Sequence, residues 1–398
     1  MTEEKVKKGK SANARYREWA RDCQKATTTD HILTLARSRL LLDPEKFDAD
    51  PWLLNCQNGT VDLQTGELHS HQAEDMLTMM AGTTFDPQAR APLWGAFLDR
   101  ILGGSEELVN FVQKAAGYSL TGLTTEQVFF VLYGTGANGK STFTGVFTQA
   151  MGDYGKALPR GLLTAQKFEA HPTILADLFR VRMAVSSEVK AGSEWDEERI
   201  KALTGGDMIK ARRMREDFWE YSPSHKIWLA TNHQPLAKDN SEGFWRRLRM
   251  VPFTVTIPEQ ERDPMLMEKL RAELPGILAW AIRGCLAWQA EGLESPDEVR
   301  AATRDYRDRQ DPFGRFLAGC CNLNGDARVQ ASDLHKAYEQ WARASDEKPL
   351  SSKELAAVMQ ERGFQSKKSS VQLYTGLCLR EAASRPSHEW EAPGDFKL

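Results

Sequence analysis

Residues 127–150 read QVFFVLYGTGANGKSTFTGVFTQA, and the rest of the chain can be interpreted from this stretch. Val128 to Leu132 form a continuous apolar run of the length and composition expected for a fully buried strand. Gly134 to Ser141 then fit the phosphate-binding pattern G-x-x-x-x-G-K-[ST]. After this loop comes an amphipathic helix whose apolar side carries Phe143, Val146, Phe147 and Ala150. Strand, loop and helix in this order predict a nucleotide-binding core.

The chemistry of phosphate binding requires this order of parts. Glycines let backbone N–H groups close around phosphate oxygens, and the helix N-terminus adds its positive dipole end. Lys140 is expected to bridge the β- and γ-phosphates, and the Ser141 hydroxyl to bind Mg²⁺. The sequence therefore predicts ATP and Mg²⁺ as cofactors, held by Gly134, Thr135, Gly136, Ala137, Asn138, Gly139, Lys140, Ser141 and Thr142.

Length and composition predict a protein with two or three domains. The chain has 398 residues, of which 41% are hydrophobic and 27% charged. A net charge of −3 gives no global basic signature, so contacts with nucleic acid must rest on local patches.

Neither secretion nor membrane insertion is indicated. The N-terminus, MTEEKVKKGK, is polar, and no run of 18 apolar residues occurs. The six cysteines lack the spacing of a zinc site, which predicts reduced thiols in a cytoplasmic protein.

Two further apolar runs end in polar residues. Arg182 to Val189 predicts a buried strand that presents Glu188, where a nucleotide-hydrolysing site places its water-activating base. Ser187 stands where such motifs usually carry a second acid, so Mg²⁺ would rest on Ser141, phosphates and waters, with Glu188 reaching it directly or through water. His225 to Asn232 predicts a third strand. Asn232 would lie beside the γ-phosphate if that strand is adjacent to the phosphate-loop strand.

Two basic segments are candidates for contacts outside the chain's own nucleotide site. Arg199 to Asp217 surrounds a Gly-Gly break and predicts a loop that grips a nucleic-acid backbone, although a solvated hairpin is the alternative. Its candidate DNA-binding residues are Lys201, Lys210, Arg212, Arg213 and Arg215. Further along, Arg246 and Arg247 are either surface charge or residues that reach the ATP of a neighbouring subunit.

The flanking regions are predicted from periodicity and turn signals. Residues 1–45 and 87–121 show helical spacing, and residues 52–85 indicate a small β-hairpin region. Residues 264–292 predict a long helix interrupted at Pro275. Residues 313–380 predict three helices and a β-wing with Lys367 and Lys368 at its tip, which is either a DNA-binding winged helix or a helical adaptor without DNA contact.

This succession of motifs resembles superfamily 3 helicases, most closely the helicase portion of phage, plasmid and poxvirus primase–helicases. DADPWLLNCQNGTVDLQTGELHSH resembles the N-terminal accessory region of that group, and KALTGGDMIKAR resembles its B-prime motif. WLATNHQP resembles motif C, and FWRRLRMVPF resembles the arginine-finger segment. The match covers residues 48–252 and extends to a C-terminal winged helix.

The resemblance implies an α/β fold with an AAA+-type P-loop core and a central parallel sheet. It divides the chain into an accessory domain (1–110), an ATPase core (111–292) and a helical or winged-helix-like domain (293–398). It also implies catalytic roles for Lys140, Glu188, Asn232 and Arg247, with Arg246 as the second candidate for a finger acting in trans. Ser141 and Glu188 are the implied metal ligands.

The resemblance further implies an ATP-dependent DNA helicase that works as a homo-hexameric ring on single-stranded and forked DNA, in a phage, plasmid or mobile element. No primase domain fits before Asp48, so a separate primase or polymerase is expected as a partner. Two alternatives share the ATP site. A ring ATPase could remodel origin complexes without processive unwinding, and a small-molecule kinase would need an acceptor pocket instead of DNA.

Overall fold

The computed structural model describes residues 12–39, 44–166, 172–187, 189–238, 241–368 and 371–380. These residues form two packing units. The first contains the described residues up to Asp50 together with Gln72–Thr78, and the second contains Pro51–His71 and the described residues from Met79 onward. The predicted nucleotide-binding stretch lies wholly in the second unit.

The first unit is built from two helices, α1 (Ala12–Cys23) and α2 (Ala26–Arg39), as the helical spacing predicts. Their large apolar side chains are exposed: 72% for Tyr16, 61% for Trp19 and 69% for Leu35. Within the described part of this unit, the two helices therefore bury little apolar surface.

The second unit contains all of the strands in the described residues and twelve further helices. Its strands are β1 (Leu53–Cys56), β2 (Gly59–Asp62), β3 (Glu67–His69), β4 (Phe129–Tyr133), β5 (Gly155–Ala157), β6 (Met183–Ser187), β7 (Ile209–Ala211), β8 (Trp219–Tyr221), β9 (Lys226–Thr231), β10 (Leu248–Pro252), β11 (Cys321–Gln330), β12 (Ser366–Lys368) and β13 (Gln372–Leu379). Its helices are α3 (Pro92–Ile101), α4 (Glu106–Leu120), α5 (Lys140–Met151), α6 (Pro172–Ala176), α7 (Glu197–Thr204), α8 (Glu242–Trp245), α9 (Leu266–Arg271), α10 (Leu274–Glu291), α11 (Asp297–Arg309), α12 (Pro312–Cys320), α13 (Ala331–Ala344) and α14 (Ser352–Glu361).

A five-stranded sheet of order β10-β4-β9-β6-β5 forms the centre of this unit, and every neighbouring pair is parallel. Successive side chains of a strand point to opposite faces, and both faces are covered here. Phe130 and Leu132 enter one hydrophobic cluster with α3, α4, α5 and α10, whereas Phe129 and Val131 enter another with α7, α8 and α11. The predicted α/β core with a central parallel sheet is confirmed.

Smaller sheets flank the core. Strands β1, β2 and β3 form an antiparallel sheet in the region predicted as a hairpin, and β7 and β8 form the two-stranded hairpin of the basic segment. The long helical pattern after residue 264 becomes α9 and α10, with Pro275 in the first turn of α10, where its missing N–H costs nothing.

The C-terminal part packs around a third hydrophobic cluster. Its elements follow the order α12, β11, α13, α14, β12, β13, with the antiparallel sheet order β11-β13-β12. The three helices and the β-wing of β12 and β13 match the prediction, whereas β11 was not predicted. Ser351 caps α14 through a capping box with Glu354, which defines where that helix begins.

The predicted domain boundaries do not match how the elements pack. Residue 110 lies inside α4, which packs against α10 in the core cluster. Helix α11 begins after residue 292 but buries Val299, Ala302 and Tyr306 in the two clusters of the sheet. It therefore packs with the core, and the C-terminal cluster begins only at Phe313. The division into three domains stays a prediction, with the last boundary better drawn near residue 311.

Candidate functional site

The two fixed glycines of the phosphate-binding pattern occupy positions where a side chain would collide with the fold. A Cβ on Gly134 would lie 2.2 Å from the carbonyl oxygen of Phe253. Gly139 adopts φ = 81°, and its Cβ would lie 2.6 Å from the side chain of Ile101. Gly139 is also the N-cap of α5, so the loop leads directly into a helix N-terminus. This strand–loop–helix geometry suits an anion at the start of α5.

Lys140 lies at the centre of a hydrogen-bond network that joins the loop to a neighbouring strand. Its Nζ donates to the carbonyl oxygen of Gly134 at 2.9 Å, to Oδ1 of Asn138 at 2.8 Å and to Oδ1 of Asn232 at 3.0 Å. Lys140 is only 6% exposed, and burial lowers its pKa to about 8. The predicted phosphate-binding lysine and the predicted sensor asparagine are therefore in direct contact.

The segment that follows β10 holds the loop from the other side. Asn138 Nδ2 donates to the carbonyl oxygen of Phe253 at 3.0 Å, and the N–H of Ile257 donates to the carbonyl oxygen of Ala137 at 2.8 Å. The loop is thus fixed by two bonds to residues more than 100 positions later in the chain.

A cavity of about 780 Å³ opens beside the loop. One wall is the loop and first turn of α5, residues 136–142, and a second is formed by Ser187, Ala230, Thr231 and Asn232. The cavity also has an apolar lining made of Leu93, Ala96, Phe97, Ile257, Leu266 and Met267. Backbone N–H groups and a lysine suit phosphates, and an apolar wall suits a flat nucleobase.

The strand order brings the predicted strand-end residues to this cavity. Strand β9 pairs directly with β4, so the condition for placing Asn232 beside the loop is met. Ser187 ends β6 and lines the same cavity, and Ser141 is exposed at the start of α5. Glu188, the predicted base and metal ligand, lies outside the described residues. Among the described residues, no group of three or more His, Cys, Asp or Glu side chains could hold a metal ion.

The arginine pair lies at the opposite edge of the sheet, where β4 and β10 begin. Arg246 is exposed, and its Nη2 donates to Oε1 of Gln127 at 2.9 Å. Arg247 is 8% exposed and donates to the carbonyl oxygen of Gly243, and burial together with the nearby Arg246 lowers its pKa. A residue that reaches a neighbouring subunit must be accessible, so exposure favours Arg246 over Arg247, the reverse of the predicted ranking.

The basic hairpin carries most of the predicted DNA-binding residues. Lys210 lies on β7, and Arg212, Arg213 and Arg215 follow in the tip. The Lys210 Nζ and the Arg212 Cζ lie 5.3 Å and 4.8 Å from the ring centroid of Phe218. Lys201 is not part of the hairpin, because it lies on α7, where its Nζ donates to Oγ of Ser241 at 3.1 Å.

The wing lysines are only partly described. Lys367 lies on β12 and is exposed, whereas the side chain of Lys368 lies outside the described residues. Their strand, β12, belongs to the C-terminal sheet and the hairpin to a different one, so the structure does not bring the two predicted DNA-binding groups into one element.

Sequence reasoning missed two cations that line the cavity, Arg100 and Arg262. Arg100 forms an ion pair of 2.7 Å with Glu261, and the Nε of Arg262 donates to the carbonyl oxygen of Ile257 at 3.0 Å. In the sequence, Arg262 is marked only by its place after β10, the strand that pairs with the phosphate-loop strand. Its position at the cavity depends on the hydrogen bond between Ile257 and Ala137, which a short sequence motif does not predict.

Among the described residues, none of the helices has the length and apolar character that crossing a membrane requires.

Family models match two parts of the chain. Residues 1–103 match a family described as D5 N terminal like, and residues 132–247 match a family of unknown function, DUF5906. The second match contains the phosphate-binding loop, β6, the basic hairpin and β9.

Curated relatives are viral proteins. The chain is 25% identical over 325 residues to "Putative helicase L207/L206" of Acanthamoeba polyphaga mimivirus, covering 75% of the chain and 34% of the relative. It is 26% identical over 256 residues to "Putative helicase 022R" of Frog virus 3 (isolate Goorha), covering 59% and 26%. The chain thus spans about a third or less of the length of these relatives.

A solved structure shows the same fold. The C-terminal region (305–718) of NrS-1 in its apo form superposes with a TM-score of 0.51 at 11% identity, covering 73% of the chain and 78% of that structure. The D5-like family match, the viral relatives named as helicases and the shared fold together support a similarity to phage and viral primase–helicases, within which this chain corresponds to a helicase portion.

Proposed function

We propose that the protein is an ATP-dependent DNA helicase of superfamily 3, which unwinds duplex DNA during replication of a phage, plasmid or mobile element. The observation that carries the proposal is the contact between Lys140 and Asn232 at the ends of two adjacent parallel strands. A lysine in a glycine loop and a polar strand-end residue facing the same cavity are two of the groups that triphosphate hydrolysis uses.

The residues present fit a nucleoside triphosphate with Mg²⁺. The phosphates would lie at the start of α5, where Lys140 could exchange its side-chain oxygen partners, Asn138 and Asn232, for phosphate oxygens. The base would lie against the apolar wall around Phe97 and Met267. Ser141 and Glu188 would hold Mg²⁺, which neutralises charge on the phosphates.

The remaining roles follow from position. Asn232 would orient the attacking water, and Glu188 would accept its proton. An arginine from the adjacent subunit would stabilise charge on the transferred phosphoryl group. Hydrolysis then depends on assembly into a ring, which we propose to be a homo-hexamer with the ATP site at the subunit interface.

The basic hairpin is the proposed contact with DNA. Lys210, Arg212, Arg213 and Arg215 concentrate positive charge on one short element, although the whole chain is slightly acidic. Such a local cluster attracts a phosphate backbone without reading its sequence. A helicase requires this property, since it must move along any sequence. A separate primase or polymerase remains the proposed partner.

Strand separation on a forked duplex tests the proposal. The native chain should separate the strands in an ATP-dependent manner, and the Lys140→Ala variant should not. DNA-stimulated ATP hydrolysis without strand separation would contradict the helicase and favour the remodelling ATPase. A rate of ATP hydrolysis that does not change when DNA is added would contradict both the helicase and the remodelling ATPase.

The contribution of the hairpin is measurable as a salt dependence. Replacing Lys210, Arg212 and Arg213 together with alanine should weaken binding of single-stranded DNA and reduce the slope of log K against log salt by about 2, since each phosphate contact contributes roughly 0.7. A matched control replaces three exposed cations elsewhere, Lys156, Arg283 and Arg304, and should leave the slope unchanged. An unaltered slope in the hairpin variant would exclude the hairpin from the DNA path.

A further inference from the structure

Gln127, the residue two positions before β4, connects the two elements that would act outside the chain's own ATP site. Its Nε2 donates to the carbonyl oxygen of Gly205 at 2.9 Å, and its Oε1 accepts from Nη2 of Arg246 at 2.9 Å. Gly205 ends α7 and begins the connection to the basic hairpin, and Arg246 belongs to the arginine pair. One side chain therefore touches the base of the hairpin and a candidate finger.

The two partners define the orientation of the amide. The carbonyl oxygen of Gly205 requires a donor and the Arg246 guanidinium requires an acceptor, so the NH₂ group and the carbonyl group of Gln127 each have one possible place. A carboxamide is planar and rigid. If Gly205 moves and the Gln127 NH₂ group stays bonded to it, the amide plane turns and its carbonyl oxygen leaves Arg246. The two hydrogen bonds are expected to form and break together.

The backbone around Gln127 favours this bridging position. Gln127 adopts φ = 52°, a left-handed conformation that a side chain of this kind rarely takes. Its N–H closes a turn on the carbonyl oxygen of Thr124 at 3.0 Å, and two residues later the N–H of Phe129 donates to the carbonyl oxygen of Arg247 at 2.9 Å. The turn and the β4–β10 pairing thus fix the starting point of the side chain beside the arginine pair.

The connection from α7 to the hairpin is short and contains two adjacent glycines. Gly205 is followed by Gly206, at φ = 85°, and two further residues lead into β7. At the tip, Met214 is 72% exposed and Phe218 is 49% exposed, so the hairpin end is not packed against the rest of the described chain. Ile209 and Ala211 of β7 are buried in the second hydrophobic cluster, so a packed strand joins the exposed tip to the Gly-Gly connection, where Gln127 is bonded.

We infer that Gln127 is a positioning residue through which DNA bound at the basic hairpin controls Arg246. The inference rests on the proposed function, because it assigns the hairpin to DNA and the arginine pair to the ATP of a neighbouring subunit. In this arrangement, whether DNA is bound at the hairpin determines whether Arg246 stays bonded to Gln127 of its own chain or is free to reach the ATP of the neighbouring subunit. DNA would then regulate hydrolysis in the adjacent subunit through a single amide.

The measurement is the stimulation ratio, the rate of ATP hydrolysis with saturating single-stranded DNA divided by the rate without DNA, for the assembled full chain. Gln127→Met keeps the length of the side chain and removes both hydrogen bonds. It should reduce the stimulation ratio by about fivefold or more, the usual lower range of a coupling between two sites. Binding of DNA, measured separately by fluorescence anisotropy, should change much less than the ratio. The matched control is Gln149→Met, because Gln149 also accepts from an arginine, Arg271, at 2.8 Å but contacts neither element.

Gln127→Glu separates coupling from simple support of Arg246. The glutamate keeps an acceptor for Arg246 and loses the donor to Gly205, so it should lose stimulation as Gln127→Met does. If Gln127→Glu retained the native ratio, Gln127 would serve Arg246 alone and the coupling would be overturned. Should Gln127→Met fail to fold, as judged by its thermal unfolding, Gln127→Glu carries the test.

Failure of the proposed function gives a different result from failure of the coupling. If the unaltered chain hydrolyses ATP without any response to DNA, both are overturned. If the unaltered chain responds and both Gln127 variants respond equally, only the coupling is overturned. A loss of stimulation in both variants, with the Gln149→Met control unaffected, supports it.

Discussion

A buried lysine with three oxygen partners lies at each end of the central sheet, one where the parallel strands end and one where they begin. The first is placed to bind a ligand, and the second supports the fold. At the edge where the strands end, Lys140 bonds one backbone carbonyl and the side-chain amides of Asn138 and Asn232. At the edge where they begin, Lys226 is 1% exposed and bonds only backbone carbonyls, those of Thr121, Leu123 and Ser224.

The difference lies in what can be exchanged. Lys140 faces the cavity, and two of its partners are side chains that can rotate. Lys226 meets the carbonyl groups that follow α4, and Arg182 donates to the carbonyl oxygen of Leu120 at the end of the same helix. Cations at a helix C-terminus satisfy its last carbonyl groups and oppose its dipole. A buried lysine is thus a ligand-binding group where its partners are replaceable, and a structural brace where they are backbone.

The arginine pair tests most severely the idea that the end of the sheet where strands begin is structural. Arg246 and Arg247 lie at that end, yet they are proposed to act in ATP hydrolysis. Removing a finger that acts in trans should lower ATP hydrolysis about 10³-fold while leaving nucleotide binding intact. Exposure predicts the larger loss for Arg246→Ala and the smaller one for Arg247→Ala. Steady-state hydrolysis of both variants, with nucleotide affinity measured by calorimetry, checks the order.

Mixing experiments test whether the arginine acts in another subunit. Assemblies that combine the more damaging arginine variant with Lys140→Ala should regain part of the activity, because each chain supplies the group that the other lacks. Absence of any recovery, together with normal assembly, would show that the arginine acts within its own chain.

Paired substitutions of the two lysines test the comparison directly. Lys140→Met should weaken nucleotide binding by about 10- to 100-fold, since a hydrogen bond to a charged group contributes 1.5–3 kcal/mol, and should leave the free energy of unfolding nearly unchanged. Lys226→Met should lower the free energy of unfolding by about 2 kcal/mol, because buried carbonyl groups lose their donor, and should leave affinity within about twofold.

Urea unfolding and calorimetric titration of both variants provide the two measurements. Lys156→Met removes a lysine from an exposed ion pair with Asp177 and should change neither quantity by more than about 0.5 kcal/mol. A Lys226→Met protein that is fully stable but fails to bind nucleotide would contradict the assignment of Lys226 to stability and of Lys140 to ligand binding.

The smallest expected effect is a pH dependence that belongs to Lys140. Burial lowers its pKa to about 8, and only the protonated ammonium attracts phosphate. Nucleotide affinity should therefore be highest below pH 8 and fall about tenfold per pH unit above it. Lys140→Arg keeps its proton over this range, so its affinity should stay level between about pH 7 and 9.5. An identical decline in both proteins would assign the titration to another group.

The sequence predicts the parts of the fold that local patterns encode. The apolar run of β4, the glycine loop and the stripe of α5 are contiguous, and the four stripe residues from Phe143 to Ala150 are fully buried. The predicted position of Asn232 beside the γ-phosphate requires that β9 lie next to β4, and the two strands pair directly.

The remaining features depend on contacts between distant residues. Nothing near Lys226 in the sequence reveals that the carbonyl groups after α4 lie against it, because they come from residues about 105 positions earlier. The predicted boundary places the charged helix α11 in the C-terminal domain, yet this helix buries Tyr306 against the sheet. Gln127 has no motif at all, and its significance comes only from its two partners.

The attachment of the phosphate loop to the segment after β10 has a consequence for protein engineering. Because Phe253 and Ile257 fix Asn138 and Ala137, the loop is not a portable cassette. Transplanting residues 134–141 into another scaffold would carry the consensus letters without the distant backbone that shapes them. A graft that also supplied residues 253–257 would have a much better chance of reproducing the site, which makes the unit of exchange a discontinuous pair of segments.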